Sequence, residues 1–183
     1  MAGVTRASAL PALRTARLDL TPVRRADVDA LHALWTRPEV RRFLWDDREI
    51  ARAEAAAVVE DCLRLAPDGL GLWTLRGRAD GELVGCAGLL PVAAAAESDP
   101  RLAGLVEPVV ALRPEAWGRG LAAEALAALQ RHAVDALGLA RLAGATDVPN
   151  AASDRMLRRA GFRALGECDG PRWPLRTYLW DAR

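Results

Sequence analysis

Apolar and polar positions alternate over Arg17-Leu18-Asp19-Leu20-Thr21-Pro22-Val23, which predicts a first strand with one buried face. The period then lengthens. Val28, Leu31, Leu34 and Trp35 form the stripe of a helix that Asp27 can cap and Pro38 ends. A second helical stretch is predicted over about 48–65, with Ala55, Val58, Val59 and Cys62 on one face, and Pro67, Gly69 and Gly71 break it. Segments 72–76 and 82–89 read as a hairpin that turns at Ala79-Asp80-Gly81. Residues 91–104 read as a loop, with room for a short helical turn at the alanine run. A strand follows over 106–112, then a helix from about 122 to 137 on Leu126, Leu129, Ala133 and Leu137, with Gly138 as its natural stop. The remaining elements are a short strand at 142–146, a helix that Asn150 can cap and Gly161 ends, and strands at 162–165 and 176–180. Neither a repeat nor a linker divides the chain. The pattern predicts one mixed α/β domain over 14–183, a mostly antiparallel sheet flanked by helices, after a partly disordered tail at 1–13.

Composition narrows the function classes. At 183 residues the chain is long enough for a sizeable core. No apolar run approaches the ~20 residues of a membrane-spanning helix. A net charge of +1 argues against a dominant electrostatic pull toward nucleic acid or a membrane surface. All 25 basic residues are Arg, which reads as coding bias. Cys62, Cys86 and Cys168, with only His32 and His132 beside them, form neither a disulfide framework nor a metal-ligand spacing, and a reducing cytoplasm fits them best. Both histidines fall in predicted helices without a catalytic partner and read as structural or surface residues.

The densest chemical signal is Trp117-Gly118-Arg119-Gly120-Leu121-Ala122, between a strand and a helix. The first N–H groups of a helix lack intrahelical partners and the dipole is positive there, so a strand, a glycine turn and a helix start make an anion site. The spacing is too short for a P-loop, and Ala123 stands where a dinucleotide fingerprint has its third glycine. On its own the turn reads more readily as a plain strand-to-helix connection than as a phosphate site.

The order of segments is more specific. This turn, the long helix, the short strand, the Asn150-Ala151-Ala152-Ser153 helix and Gly161-Phe162 together resemble the acetyl-CoA-binding core of the GNAT N-acetyltransferases. The family's pyrophosphate turn reads Gln/Arg-x-x-Gly-x-Gly/Ala. Gly120 and Ala122 match its last two positions, and Trp117 replaces the Gln or Arg. That departure is familiar in the ribosomal-protein N-terminal acetyltransferase (RimL/RimJ-like) branch, which the chain also resembles at Arg17-Leu18-Asp19-Leu20, at Trp35 to Leu44 and at Asp80 to Gly85.

The resemblance implies an acetyl-CoA-dependent N-acetyltransferase that moves acetyl to a primary amine, a protein N-terminus or a small amine, by direct transfer in a ternary complex. It implies no metal. Ala111, Leu112 and Arg113 would pair their backbone with the pantetheine arm, Trp117, Gly118, Arg119, Gly120, Leu121 and Ala122 would hold the pyrophosphate, and Asn150 would bond to the pantetheine. Ser153 is the implied acid for the departing thiolate, with a plain first-turn hydroxyl as the other reading. Glu107 is the implied base, or else a solvated strand-end carboxylate; Pro108 beside it departs from a central strand. Arg119 either contacts phosphate or faces solvent. Trp45, Asp46, Glu49 and Trp73, with Asp47, are the expected acceptor site, acidic groups between aromatics suiting a cationic amine; the other reading makes Asp46 and Asp47 caps of the next helix. The branch's usual partners, a ribosomal protein and a second copy of the chain, follow only from the resemblance. Two other classes stand beside this one. A CoA-binding sensor would keep the turn and need no acid or base, and a nucleic-acid binder would use Arg41, Arg42, Arg48 and Arg52.

Overall fold

The computed structural model describes residues 10–92 and 94–182. The predicted tail at 1–13 lies mostly outside them, and its last residues belong to the folded body. Leu10 is buried, the Pro11 carbonyl accepts the indole N–H of Trp73, and strand β1 (Leu13–Arg14) pairs with β2 (Leu18–Pro22). Strands β2, β3 (Gly71–Gly77), β4 (Leu83–Pro91) and β5 (Val106–Leu112) continue an antiparallel sheet in the order β1-β2-β3-β4-β5. A second antiparallel sheet has the order β6-β8-β7, from β6 (Arg141–Asp147), β7 (Arg163–Cys168) and β8 (Leu175–Asp181). The predicted mixed α/β class with antiparallel pairing is the observed one.

Strand alternation divides the five-stranded sheet into two cores. Trp73, Leu75, Ala87, Leu89 and Leu112 face one side and pack with Leu126 and Leu129 of helix α5 (Leu121–Asp135). Leu72, Cys86 and Ala111 face the other and pack with residues of α1 (Val28–Trp35) and α3 (Arg52–Leu65). Helix α4 (Ala94–Ser98) in the 91–104 segment confirms the expected helical turn and sits by a third small core at Ala143.

Pro38 both stops α1 and starts a helix absent from the predicted elements, α2 (Pro38–Leu44). A first-turn position loses nothing by lacking an N–H, so one residue performs both tasks. Asp46 and Asp47 do not cap α3. Its N-cap is Ala51, and Glu54 reaches back to the Ala51 N–H at 2.8 Å.

The two sheets meet at β5 and β6, which approach each other but share no hydrogen-bonded ladder. Each is the edge strand of its own sheet there. An edge position accommodates Pro108, whose missing N–H would interrupt a strand paired on both sides.

Candidate active site

The C-terminal end of β5 runs through a single turn at Pro114–Ala116 into the glycine turn and α5. Gly118 and Gly120 both take the left-handed conformation, with φ of 71° and 75°. That region disfavours any residue with a Cβ by about 1–2 kcal/mol. Gly120 is itself the N-cap, and no side chain caps α5. Among the described residues nothing satisfies the first N–H groups of the helix, and the glycine at 118 beside them has open space where a Cβ would stand. Trp117 is 48% exposed and anchors the turn by donating its indole N–H to the Leu112 carbonyl at 2.9 Å. Leu121 and Ala122 turn their side chains toward the α5 core. The Arg119 side chain is exposed, while its carbonyl is held by Arg17 at 2.8 Å.

The backbone of Ala111 and Leu112 pairs with β4 on one edge only, which leaves the edge toward β6 open to another extended chain. The Arg113 N–H extends the ladder to Val84. Glu107 lies four residues before Ala111, hence on the same face, the one covered by α1 and α3. It has no hydrogen bond or ion pair among the described residues, and burial pushes its carboxyl up to about 7. Beside an open slot, such a group is suited to take a proton near neutral pH.

Helix α6 (Ala151–Arg159) begins where β6 ends. Asn150 caps it, its side-chain oxygen accepting the Ser153 N–H at 3.2 Å. The cap uses the oxygen only, and the amide N–H₂ remains available to a ligand. The Ser153 hydroxyl makes no hydrogen bond to another described residue. Behind it, Asp154 accepts bonds from Tyr178, Arg176 and Arg158. The Tyr178 bond foremost holds Asp154 down at about 2. This network fastens the first turn of α6 to β8.

The acceptor residues separate into two groups. Trp45 packs against Trp35 with ring centroids 5.7 Å apart. Asp46 and Asp47 both take left-handed conformations, φ 53° and 64°, and Arg172 of the β7–β8 loop bonds to the Asp46 carbonyl and the Asp47 carboxylate. Glu49 is exposed and paired with Arg41. Trp73 corrects the expectation. It is fully buried, bonded to Pro11 and edge-on to His132, so it belongs to the α5-side core and has no face left for a substrate.

One acidic residue escaped the sequence reading. Asp147 ends β6 at 6% exposure, and burial together with the nearby Asp46 carboxylate raises it to about 6. The signal was a carboxylate closing a short apolar strand, a position that a solvated strand end would also explain. The basic cluster reads differently too. Arg41 pairs with Asp47 and Glu49, Arg48 with Glu54, and Arg52 with Asp29, so three of its four charges are already matched. His32 and His132 bond to the Ile50 and Gly69 carbonyls as structural residues.

The family model described as an acetyltransferase (GNAT) domain matches residues 17–163. The chain is 27% identical over 171 residues to the N-acetyltransferase YoaA of Bacillus subtilis, covering 93% of this chain and 89% of that one. It is 32% identical over 157 residues to the FsC-acetyl coenzyme A-N(2)-transacetylase of Aspergillus fumigatus, covering 84% of this chain and 66% of that protein. Among solved structures, a GNAT-family acetyltransferase from Bordetella pertussis superposes with a TM-score of 0.80 at 25% identity, covering 93% of this chain and 99% of that one. The ribosomal L7/L12 α-N-protein acetyltransferase RimL, in complex with coenzyme A, shares the fold with a TM-score of 0.75 at 18% identity, covering 93% and 98%. No helix among the described residues is long and apolar enough to cross a membrane.

Proposed function

This chain belongs to the GNAT acetyltransferase family, and from that premise we propose that it transfers acetyl from acetyl-CoA to a primary amine in a ternary complex. The observation that carries this reading is the open edge of β5 leading into the uncapped start of α5 at two left-handed glycines. An extended pantetheine arm pairs with the backbone of Ala111 to Arg113, and the diphosphate it carries meets the α5 N–H groups and dipole. Asn150 offers its amide N–H to the same arm.

Glu107 takes the proton that the amine must lose, directly or through one water. The neutral nitrogen attacks the thioester carbonyl and the N–C bond forms; the C–S bond breaks as Ser153 protonates the thiolate, and the second proton of the nitrogen passes back to the Ser153 oxygen, directly or through water, leaving a neutral amide. The acceptor approaches between the α2–α3 loop and the β7–β8 loop, where Asp46 and Asp147 attract a cationic amine before it is deprotonated. A protein N-terminus and a small amine both meet that description, and the RimL-like branch supplies the first as the leading candidate. The unpartnered Glu107 favours catalysis over a CoA-binding sensor.

Calorimetric titration of the purified protein with acetyl-CoA tests the reading first. One saturable site of micromolar affinity is expected, and a folded sample that binds nothing defeats it. Ser153→Ala then separates chemistry from binding. Turnover should fall about 10²-fold, the low end of the usual range for lost proton transfer, while the CoA Kd stays within about twofold. An unchanged rate with chemistry limiting removes Ser153 as the acid.

A further inference from the structure

We infer that Arg17 is a further phosphate-binding residue, reaching the α5 turn from the segment just before β2. This rests on the diphosphate reading of that turn. The Arg17 backbone N–H donates to Glu124 Oε1 at 2.8 Å and its Nε to Glu124 Oε2 at 2.6 Å. Nη1 donates to the Arg119 carbonyl at 2.8 Å. Glu124 is itself anchored by the Thr15 hydroxyl at 2.5 Å. Two bonds thus fix the guanidinium, one at Nε and one at Nη1, and the backbone bond holds its residue against Glu124. Its remaining nitrogen, Nη2, has no acceptor among the described residues and lies 3.6 Å from the position a Cβ on Gly120 would take.

The consequence is a cation delivered to the helix start by a different part of the chain. Arg119 lies in the turn itself, but its side chain is exposed and has no partner among the described residues to hold it. Arg17 is held before any ligand arrives, so little side-chain freedom is lost when its outer N–H groups meet phosphate oxygens. Its side chain is 52% exposed, so a ligand can reach it. Glu124 sits on the Nε side and partly offsets the charge, yet the Nη2 donors stay free for an anion.

The test is calorimetry with coenzyme A on the full chain, wild type against Arg17→Gln and Arg17→Lys, at about 50 mM and about 500 mM salt, which brackets strong and weak screening. If Arg17 binds phosphate, Arg17→Gln weakens CoA about tenfold at low salt, the gap narrows to about threefold or less at high salt, and Arg17→Lys recovers part of the loss. Wild-type affinity in Arg17→Gln overturns the inference and leaves the diphosphate reading standing. An equal loss at both salts, with Arg17→Lys as poor as Arg17→Gln, also overturns it and makes Arg17 a brace of the turn. A wild-type protein that does not bind CoA removes the diphosphate reading and the inference together.

Discussion

Gly120→Glu is expected to weaken acetyl-CoA binding by a hundredfold or more in a protein that still folds. Two effects add. Gly120 sits at φ 75°, where a side chain strains the backbone by about 1–2 kcal/mol. The larger effect is charge. A carboxylate placed about 4–5 Å from a phosphate opposes it by about 3–4 kcal/mol at an effective dielectric near 20, and a diphosphate carries more than one charge. Gly120→Ala isolates the strain, because among the described residues the only neighbour within 4 Å of the added Cβ is the end of the Arg17 side chain, at ordinary contact distance. That variant should melt a few degrees lower and keep CoA binding within about tenfold. A folded Gly120→Glu protein with wild-type affinity for acetyl-CoA means that the diphosphate lies elsewhere.

Glu107→Gln should lower kcat by about 10²–10⁴-fold and leave the CoA Kd unchanged, because it removes a proton acceptor and no part of the cofactor turn. The wild-type enzyme should gain activity with rising pH through about 7, where burial has placed this carboxyl, and level off above it. The same shift predicts a stability effect of opposite sense. Folding raises this group from 4.5 to about 7, so its neutral form favours the native state below pH 4.5, and that contribution is lost as pH rises through 7. Glu107→Gln cannot ionise and should therefore melt higher than wild type at pH 8 and nearly the same below pH 4.5. Full turnover in Glu107→Gln, with a pH profile that does not move, would transfer the proton to another acceptor.

How much of this was legible from the chain differs by element. The hairpin at Asp80-Gly81, the α5 stripe and the Asn150 cap follow from local rules of turn chemistry, periodicity and capping, and all are present. Helix α2 does not follow from the same rules, because a proline such as Pro38 ends one helix as readily as it begins another. In the sequence Trp73 reads as one of two aromatics that flank the acidic residues at 46–49. Only the packing of β1, Pro11 and His132 around it reveals a core residue. Pro108 looked out of place until β5 proved to be the edge of its sheet.

The sequence by itself determined the elements, their order and the glycine turn, because each depends on residues within a few positions of one another. It also placed Glu107, Asn150 and Ser153 on the strand and helix that carry them. Only the tertiary structure decided which charges are matched and which are left open. Arg17 reaches Glu124 across 107 positions, and Arg172 reaches Asp47 across 125. Among the described residues, Asp147 and Glu107 stay without a cation because of what folds around them. Burial and pairing are properties of neighbours in space, and a carboxylate two residues from an arginine in sequence has no claim on it until the chain has folded.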